Sequence, residues 1–256
     1  MGRKVDYFIA GTQKSGTTAL FRKMTSNPQF FRQKEKETHF FDDEGRKWPQ
    51  PNFENFHVSF KGARPDQFIG DATPIYTYWP NCLKRIHRYQ PDAKLIISLR
   101  HPAYRAVSHW KMEIARKTET LPFGEAISDK GRARYRDPGF HRFWAYVERG
   151  FYSEQLRRVF NFFERDQVFL CTTDQLYEDE TGLLNRIFEF VGAKPDYAPT
   201  RKKIIRPIDN EHVRGYTDTD IAYLTDLFRE DITRTAKMTG LDLSHWLDED
   251  YSETRA

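Results

Sequence analysis

Cysteine is scarce in this chain of 256 residues, and several other features are missing as well. The two cysteines, Cys82 and Cys171, lie far apart, so they predict neither a disulfide framework nor a metal site and favour a reducing compartment. No apolar run has the length of a membrane span, and the first predicted strand follows Met1 too closely to leave room for a signal peptide. We therefore expect a soluble cytoplasmic protein that does not contact membranes.

Long runs of one charge sign are also missing. The net charge of +4 comes from 41 basic and 37 acidic residues spread along the chain, with small basic clusters at 132–136 and 201–203. Neither cluster resembles a nucleic-acid-binding arm, and a mild basic excess suits a small anionic ligand at least as well. A length of 256 residues, 38% of them hydrophobic and 30% charged, predicts a single domain over residues 1–256, and the sequence gives no signal for the oligomeric state.

The most informative stretch that is present runs from Asp6 to Thr18. Its apolar run ends at Gly11, as a buried parallel strand does in an α/β protein, and a turn and a helix follow. The free N–H groups and the dipole of a helix start, with a lysine beside them, predict a site for a phosphate-like anion. The residues expected around the anion are Lys14, Ser15, Gly16, Thr17 and Thr18.

Other interpretations of this stretch stay open. A strand, a turn and a capped helix occur without any ligand, because Gly, Ser and Thr are ordinary capping residues. A nucleotide kinase needs Gly-Lys-Ser/Thr, whereas Lys14 comes two residues before Gly16, so a magnesium-bound triphosphate is the less favoured ligand. A non-catalytic adenylate-binding module is the third possibility.

A polar segment next to paired aromatics offers a candidate base. Glu37, His39 and Asp42 flank Phe40 and Phe41, as expected of titratable groups at the edge of an apolar wall. The alternative is a solvated loop that two buried phenylalanines anchor. His39 is either a proton relay or a structural hydrogen-bonding residue.

The clearest buried strand, residues 93–100, ends in Arg100-His101-Pro102, and Ser108 follows about two turns into the next helix. In an open α/β sheet, ligands bind at the carboxyl ends of the strands. Alternatively, Arg100 pairs with some carboxylate and Ser108 only packs. The alternation of strands and helices predicts an α/β, P-loop-like three-layer fold with a central parallel sheet flanked by helices.

Four later elements complete the prediction. We expect a helix over residues 151–165 and a strand over 167–172. A polar turn at residues 173–174 follows, then a helix from Glu180 to Val191 that Gly192 ends. The last helix is expected over about residues 218–238.

Four motifs in this order resemble the sulfotransferases that use 3'-phosphoadenosine 5'-phosphosulfate (PAPS). The closest likeness is to the heparan sulfate sulfotransferase branch and its soluble bacterial relatives, and it covers nearly the whole chain. The motifs are Gly11–Thr18, Glu37–Asp42, Asp71–Pro74 and Leu99–Pro102, the last with Arg105 and Ser108 after it.

The resemblance implies PAPS as co-substrate, no metal, and an acceptor hydroxyl, less often an amine, on a small molecule or oligosaccharide. Lys14 and residues 15–18 would hold the 5'-phosphosulfate, and Arg100 and Ser108 the 3'-phosphate. Glu37 would be the catalytic base, with His39 beside it, and Lys14 would stabilise the leaving phosphate. The late basic loop expected to close over the donor contains Arg201, Lys202 and Lys203.

Two positions depart from the family pattern. Ala72 stands where many heparan sulfate enzymes have a lysine, which argues against a polysaccharide acceptor. Met112 stands where the N-sulfotransferases have a histidine. The first departure removes a cation that would help to activate the acceptor or the sulfate.

Overall fold

The computed structural model describes residues 3–136, 141–199 and 215–253. The predicted donor-binding residues Arg201, Lys202 and Lys203 lie outside them. The chain divides into two compact units, Met1–Leu99 with Arg157–Lys203 and Arg100–Leu156 with Ile204–Ala256. The single domain over residues 1–256 stays a prediction.

The first unit contains a parallel sheet of four strands, which confirms the predicted α/β fold. The strand order is β2-β1-β3-β4, so β1 and β3 are central. Their residues are buried almost throughout, as expected for strands that are covered on both faces. The strands are β1 Tyr7–Gly11, β2 Gly70–Asp71, β3 Lys94–Leu99 and β4 Val168–Thr172.

Helices flank this sheet in the first unit and recur along the second. The α-helices, in chain order, are α1 Thr17–Met24, α2 Glu54–His57, α3 Cys82–Tyr89, α4 Pro102–Ala115, α5 Phe123–Ile127, α6 Asp129–Ala133, α7 His141–Trp144, α8 Tyr152–Phe160, α9 Thr173–Glu178, α10 Glu180–Val191 and α11 Asp218–Thr239. None of the helices in the described residues is both long and apolar enough to cross a membrane.

The core of the first unit lies on both faces of the sheet because successive side chains of a strand point in opposite directions. Tyr7 and Ile9 of β1 belong to a cluster that α1 and α10 complete, and Cys171 is a buried thiol in the same cluster. Phe8 points the other way and meets Phe41 with ring centroids 5.6 Å apart. The two phenylalanines of the predicted apolar wall, Phe40 and Phe41, are both buried.

In the second unit, the start of α8 is held by an acidic side chain of α11. Asp231 accepts hydrogen bonds from the backbone N–H of Tyr152 at 2.7 Å and from the Ser153 hydroxyl. This carboxylate satisfies donors that a helix start leaves without intrahelical partners. The C-terminal segment packs within the same unit, where Leu243 and Trp246 are buried.

The predicted element boundaries mostly hold, with two corrections. Helix α8 ends at Phe160 rather than at residue 165, since a capping box at Glu164 starts a separate 3-10 turn. Residues 173–174 do not form a loop but begin helix α9, because Thr172 forms a capping box with Gln175. Helices α10 and α11 were predicted closely, and each ends at a glycine with a left-handed backbone.

Candidate functional site

The loop after β1 is a tight turn that is closed by its own side chains. A Cβ on Gly11 would lie 2.6 Å from the Thr77 Oγ1, so only glycine fits there. The Thr12 Oγ1 donates to the Ser98 carbonyl at 3.0 Å and lies 2.6 Å from the Ser15 Oγ. The Ser15 hydroxyl and its N–H both bond to Thr12, so Ser15 shapes the loop rather than facing outward.

Helix α1 begins without a side-chain cap. Its N-cap is Gly16, whose φ of 72° is left-handed and whose side chain cannot accept a hydrogen bond. The first intrahelical bond runs from the Leu20 N–H to the Gly16 carbonyl at 3.0 Å, so the N–H groups of Thr17 and Thr18 have no acceptor within the helix. These N–H groups and the helix dipole favour an anion at this end.

Two of the predicted site residues adopt backbone angles that are costly for residues with a side chain. Lys14 has φ 71° and His39 has φ 50°, and within the described residues only four non-glycine positions have positive φ. A left-handed backbone costs about 1–2 kcal/mol per residue and persists where the surroundings enforce it, often at functional sites. Lys14 lies within this loop and is half-buried.

A buried hydroxyl lies close to this loop. Thr173, the first residue of α9, packs beside Gly16, because a Cβ on that glycine would be 3.4 Å from the Thr173 Cγ2. The Thr173 Oγ1 is buried and has no hydrogen-bond partner in the part of the chain that the structure describes. Such a group is costly unless a ligand or water satisfies it. The uncapped helix, Lys14 and this hydroxyl fit a phosphate-bearing group.

The predicted polar segment forms a chain of charged side chains in the first unit. Lys36 Nζ lies 2.7 Å from one carboxylate oxygen of Glu37, and His39 Nε2 lies 3.4 Å from the other. The other ring nitrogen of His39, Nδ1, lies 2.9 Å from Asp42 Oδ2. Asp42 is fully buried, whereas the side chains of Glu37 and His39 are 36% and 49% exposed.

This arrangement sets the charges of both central groups. Burial raises the pKa of Glu37, but the hydrogen bond from His39 and the charge of Lys36 outweigh it and lower the pKa to about 2. Hydrogen bonds to Asp42 and Glu37 raise the pKa of His39 to about 9, against the effect of burial. At neutral pH, Glu37 is therefore a carboxylate and His39 an imidazolium whose two N–H groups both donate.

The raised pKa of His39 predicts a loss of stability at alkaline pH. The stabilisation is complete below the ordinary pKa of 6.5 and is lost as the pH rises through about 9. Because the side chain is half-exposed, we expect only about 1 kcal/mol, well below what the pKa shift itself implies. Urea unfolding at about pH 6 and about pH 10 measures it, and His39→Asn should lose that much less stability between them. Equal losses in both proteins would contradict the prediction.

The second unit contains Arg100 and Ser108, which are predicted to bind the 3'-phosphate, and Arg105 of the same motif. Each of the three side chains has a different environment. The guanidinium of Arg100 forms a bidentate ion pair with Glu253, with Nε 2.6 Å from one carboxylate oxygen. Ser108 is half-buried on α4. Arg105 is fully buried and donates to the Tyr146 carbonyl, so it supports the fold.

Sequence analysis missed three residues with evident roles. Lys36 precedes Glu37 directly, so its pairing was predictable from adjacency. Asp71 lies in the third motif, which assigns it no role, although hydroxyl residues follow it two and five positions later. Glu253 had no local signal, since 153 positions separate it from Arg100. As for metals, no group of three or more candidate ligands occurs among residues 3–136, 141–199 and 215–253.

Comparison with known proteins identifies the family. A family model described as "Sulfotransferase domain" matches residues 4–238. The heparan sulfate glucosamine 3-O-sulfotransferase 6 of Mus musculus is 28% identical over 193 residues, which are 73% of this chain and 52% of that protein. The human 3-O-sulfotransferase 3B1 is 27% identical over 190 residues, 73% of this chain and 45% of that protein. The chain thus spans about half the length of the curated relatives it matches.

Solved structures agree with this match. The sulfotransferase from Alicyclobacillus acidocaldarius is 25% identical, with a TM-score of 0.81 over 96% of this chain and all of that one. A mouse sulfotransferase, SULT7A1, in complex with adenosine 3',5'-bisphosphate (PAP) is 14% identical, with a TM-score of 0.53 over 98% of this chain and 90% of that one, and so shares the fold. The chain belongs to the sulfotransferase domain family, whose enzymes take their sulfuryl group from PAPS.

Proposed function

We propose that this protein transfers the sulfuryl group of PAPS to a hydroxyl of a glycan or small-molecule acceptor, with Glu37 as the general base. The observation that carries the proposal is the Glu37 carboxylate, held ionised between Lys36 and His39 in a motif of the sulfotransferase family. A proton acceptor must be deprotonated before the reaction, and this one is deprotonated throughout the neutral range.

The donor-binding residues are assigned on the family resemblance. Lys14 and the N–H groups of Thr17 and Thr18 bind the 5'-phosphosulfate, and Gly16 lets the phosphate approach the backbone. Ser15 holds the turn through its bonds to Thr12. Arg100 and Ser108 bind the 3'-phosphate in this proposal, the group that distinguishes PAPS from ATP.

The donor supplies a sulfur atom that a nucleophile attacks while the bond from sulfur to a phosphate oxygen breaks. As the acceptor oxygen bonds to sulfur, its proton becomes more acidic and passes to Glu37, so even a weakly basic carboxylate accepts it. The electron pair of the broken bond stays on the phosphate oxygen, where the Lys14 ammonium stabilises it. His39, held by Asp42, keeps the Glu37 carboxylate oriented.

The acceptor class follows from the relatives and from one departure. The similar mouse and human proteins are named for transfer to heparan sulfate glucosamine, which favours a sugar hydroxyl. Ala72 is fully buried and offers no cation at the position where many heparan sulfate enzymes have lysine. We therefore propose O-sulfation of a short oligosaccharide or a small alcohol rather than of a long polysaccharide.

Calorimetric titration with PAP, beside ATP with magnesium, tests this function. We expect PAP to bind in the micromolar range or tighter and magnesium-ATP to bind much more weakly, because the loop lacks the Gly-Lys-Ser/Thr pattern. Transfer from PAPS should then appear with a heparan sulfate oligosaccharide or a simple phenol as acceptor. Preferential binding of magnesium-ATP would overturn the proposal.

The ion pair between Arg100 and Glu253 predicts a gain of function. If the 3'-phosphate binds Arg100, it must displace the Glu253 carboxylate, which occupies the same guanidinium. Glu253→Gln should therefore tighten PAP binding about fivefold to tenfold, consistent with about 1 kcal/mol for such a pair. Calorimetry measures the change.

Two controls accompany this variant. Glu249→Gln alters an exposed carboxylate in the same C-terminal segment and should leave PAP affinity as it is. Adenosine 5'-monophosphate lacks the 3'-phosphate, so Glu253→Gln should not improve its binding. An equal gain for both nucleotides would mean that the effect of Glu253 does not act through the 3'-phosphate.

A further inference from the structure

The most unusual buried charge in the first unit is the carboxylate of Asp71, at the end of β2. It is fully buried, yet it forms no ion pair with any described residue. Neutral groups alone satisfy it: the hydroxyls of Tyr76 at 2.6 Å, Thr38 at 2.9 Å and Thr73 at 2.9 Å, and the Thr38 N–H at 3.4 Å. Burial raises the pKa of Asp71 although these donors favour its ionised form.

Two of these four hydrogen bonds come from Thr38, the residue directly after Glu37. The Thr38 N–H also donates to the Thr73 Oγ1 at 3.1 Å, and the Thr38 hydroxyl accepts from the Phe40 N–H at 3.3 Å. Both ends of the short segment between Glu37 and Phe40 are thus tied to Asp71, directly or through Thr38. The same segment contains His39 with its strained backbone.

A solvent-excluded carboxylate without a cation is costly, and an apolar or amide side chain of similar size would fill the space at less cost. Buried polar networks of this kind, when fully satisfied, hold their members in one geometry. The geometry held here is the peptide that sets the direction of the Glu37 side chain. We infer that Asp71 is a positioning residue. Through its hydrogen bonds with Thr38, it orients the Glu37 carboxylate to accept the proton of the acceptor, an inference that rests on the proposed role of Glu37.

Thr38→Val and Thr38→Ser form a matched pair for testing this inference. Valine keeps the shape of threonine but lacks the hydroxyl that donates to Asp71, whereas serine keeps it. Thr38 is half-buried, so both variants should fold. Asp71→Asn tests the other partner of the same bond, and unchanged PAP affinity shows that each variant is intact.

The first readout is the pKa of His39, followed by NMR and assigned with His39→Asn. It needs no acceptor, so it does not depend on the proposed reaction. Glu37→Gln calibrates how far the pKa falls when the Glu37 carboxylate is lost. We expect Thr38→Val and Asp71→Asn to lower the pKa of His39 by most of the fall seen in Glu37→Gln. Thr38→Ser should leave this pKa near the wild-type value. A wild-type pKa in Thr38→Val, or equal shifts in the valine and serine variants, would overturn the inference.

The second readout is sulfuryl transfer from PAPS to the heparan sulfate oligosaccharide or the phenol. A displaced base should lower kcat about 10-fold to 100-fold at unchanged PAP affinity. In a Glu37→Gln background, Thr38→Val should lower kcat no further, since the two residues act as one unit. Additive losses would indicate a merely structural role for Thr38. If Glu37→Gln itself left kcat intact, the proposed function would fail, while the NMR result would still decide whether Asp71 orients Glu37.

Discussion

Glu37→Gln is expected to reduce sulfuryl transfer by about 10²- to 10⁴-fold while donor affinity changes little, because a general base acts in the chemical step. The amide keeps the size of the side chain and can still accept a hydrogen bond from Lys36, but it cannot take a proton from the acceptor. Transfer from PAPS gives kcat, and calorimetry with PAP gives donor affinity.

The matched control for this variant is Glu35→Gln. Glu35 lies two positions earlier, is exposed, and has the same charge, so its substitution tests for a general electrostatic effect. We expect Glu35→Gln to transfer sulfate at the wild-type rate. If donor affinity collapsed in Glu37→Gln together with kcat, Glu37 would be a donor-binding residue rather than the base.

Lys14→Ala should weaken both donor binding and turnover. A charged hydrogen bond to phosphate contributes about 1.5–3 kcal/mol, so PAP affinity should fall about 10-fold to 100-fold. Turnover should fall further, by about 10²- to 10³-fold, because charge builds on the leaving phosphate oxygen in the transition state. Alanine keeps a Cβ at the left-handed backbone of Lys14, so the comparison isolates the ammonium group.

Lys34→Ala provides the control for charge alone. Lys34 is exposed, and its substitution removes the same positive charge from the first unit as Lys14→Ala does. We expect Lys34→Ala to change neither kcat nor PAP affinity. Ordinary kinetics in Lys14→Ala would remove this lysine from the site. A loss of PAP affinity without a loss of turnover would mean that Lys14 binds the phosphate but does not stabilise the transition state.

Most of the sheet and its flanking helices could be predicted because local patterns encode them. Strand β3 is mostly apolar, and α10 and α11 are each bounded by an N-terminal cap and a C-terminal glycine. The errors arose where two short-range signals competed. Thr173 and Asp174 are turn-formers by composition, yet the capping box of Thr172 with Gln175 makes them the start of a helix.

The residues of the candidate site could be predicted from the sequence, but the contacts between them could not. Short motifs contain Gly16, Lys14 and Glu37, and the chemistry of these motifs depends on local backbone geometry. The order of residues along the chain was therefore enough to predict these three as site residues. The partner of Arg100 was foreseen only as some carboxylate, since nothing near Arg100 in sequence points to Glu253. The roles assigned to these residues stay predictions until the variants are measured.

By itself, the sequence determined the fold class, the family and the positions of the predicted anion-binding turn and of the acidic segment. These depend on hydrophobic periodicity, glycine placement and short motifs, all of which act over a few residues. Only the tertiary structure decided which side chains meet: Asp71 with Thr38, and Arg100 with Glu253. Such pairings depend on how segments that are distant in sequence pack together. The charges of Glu37 and His39 are likewise set only in the folded arrangement, because electrostatic interactions at a surface weaken over a few ångströms.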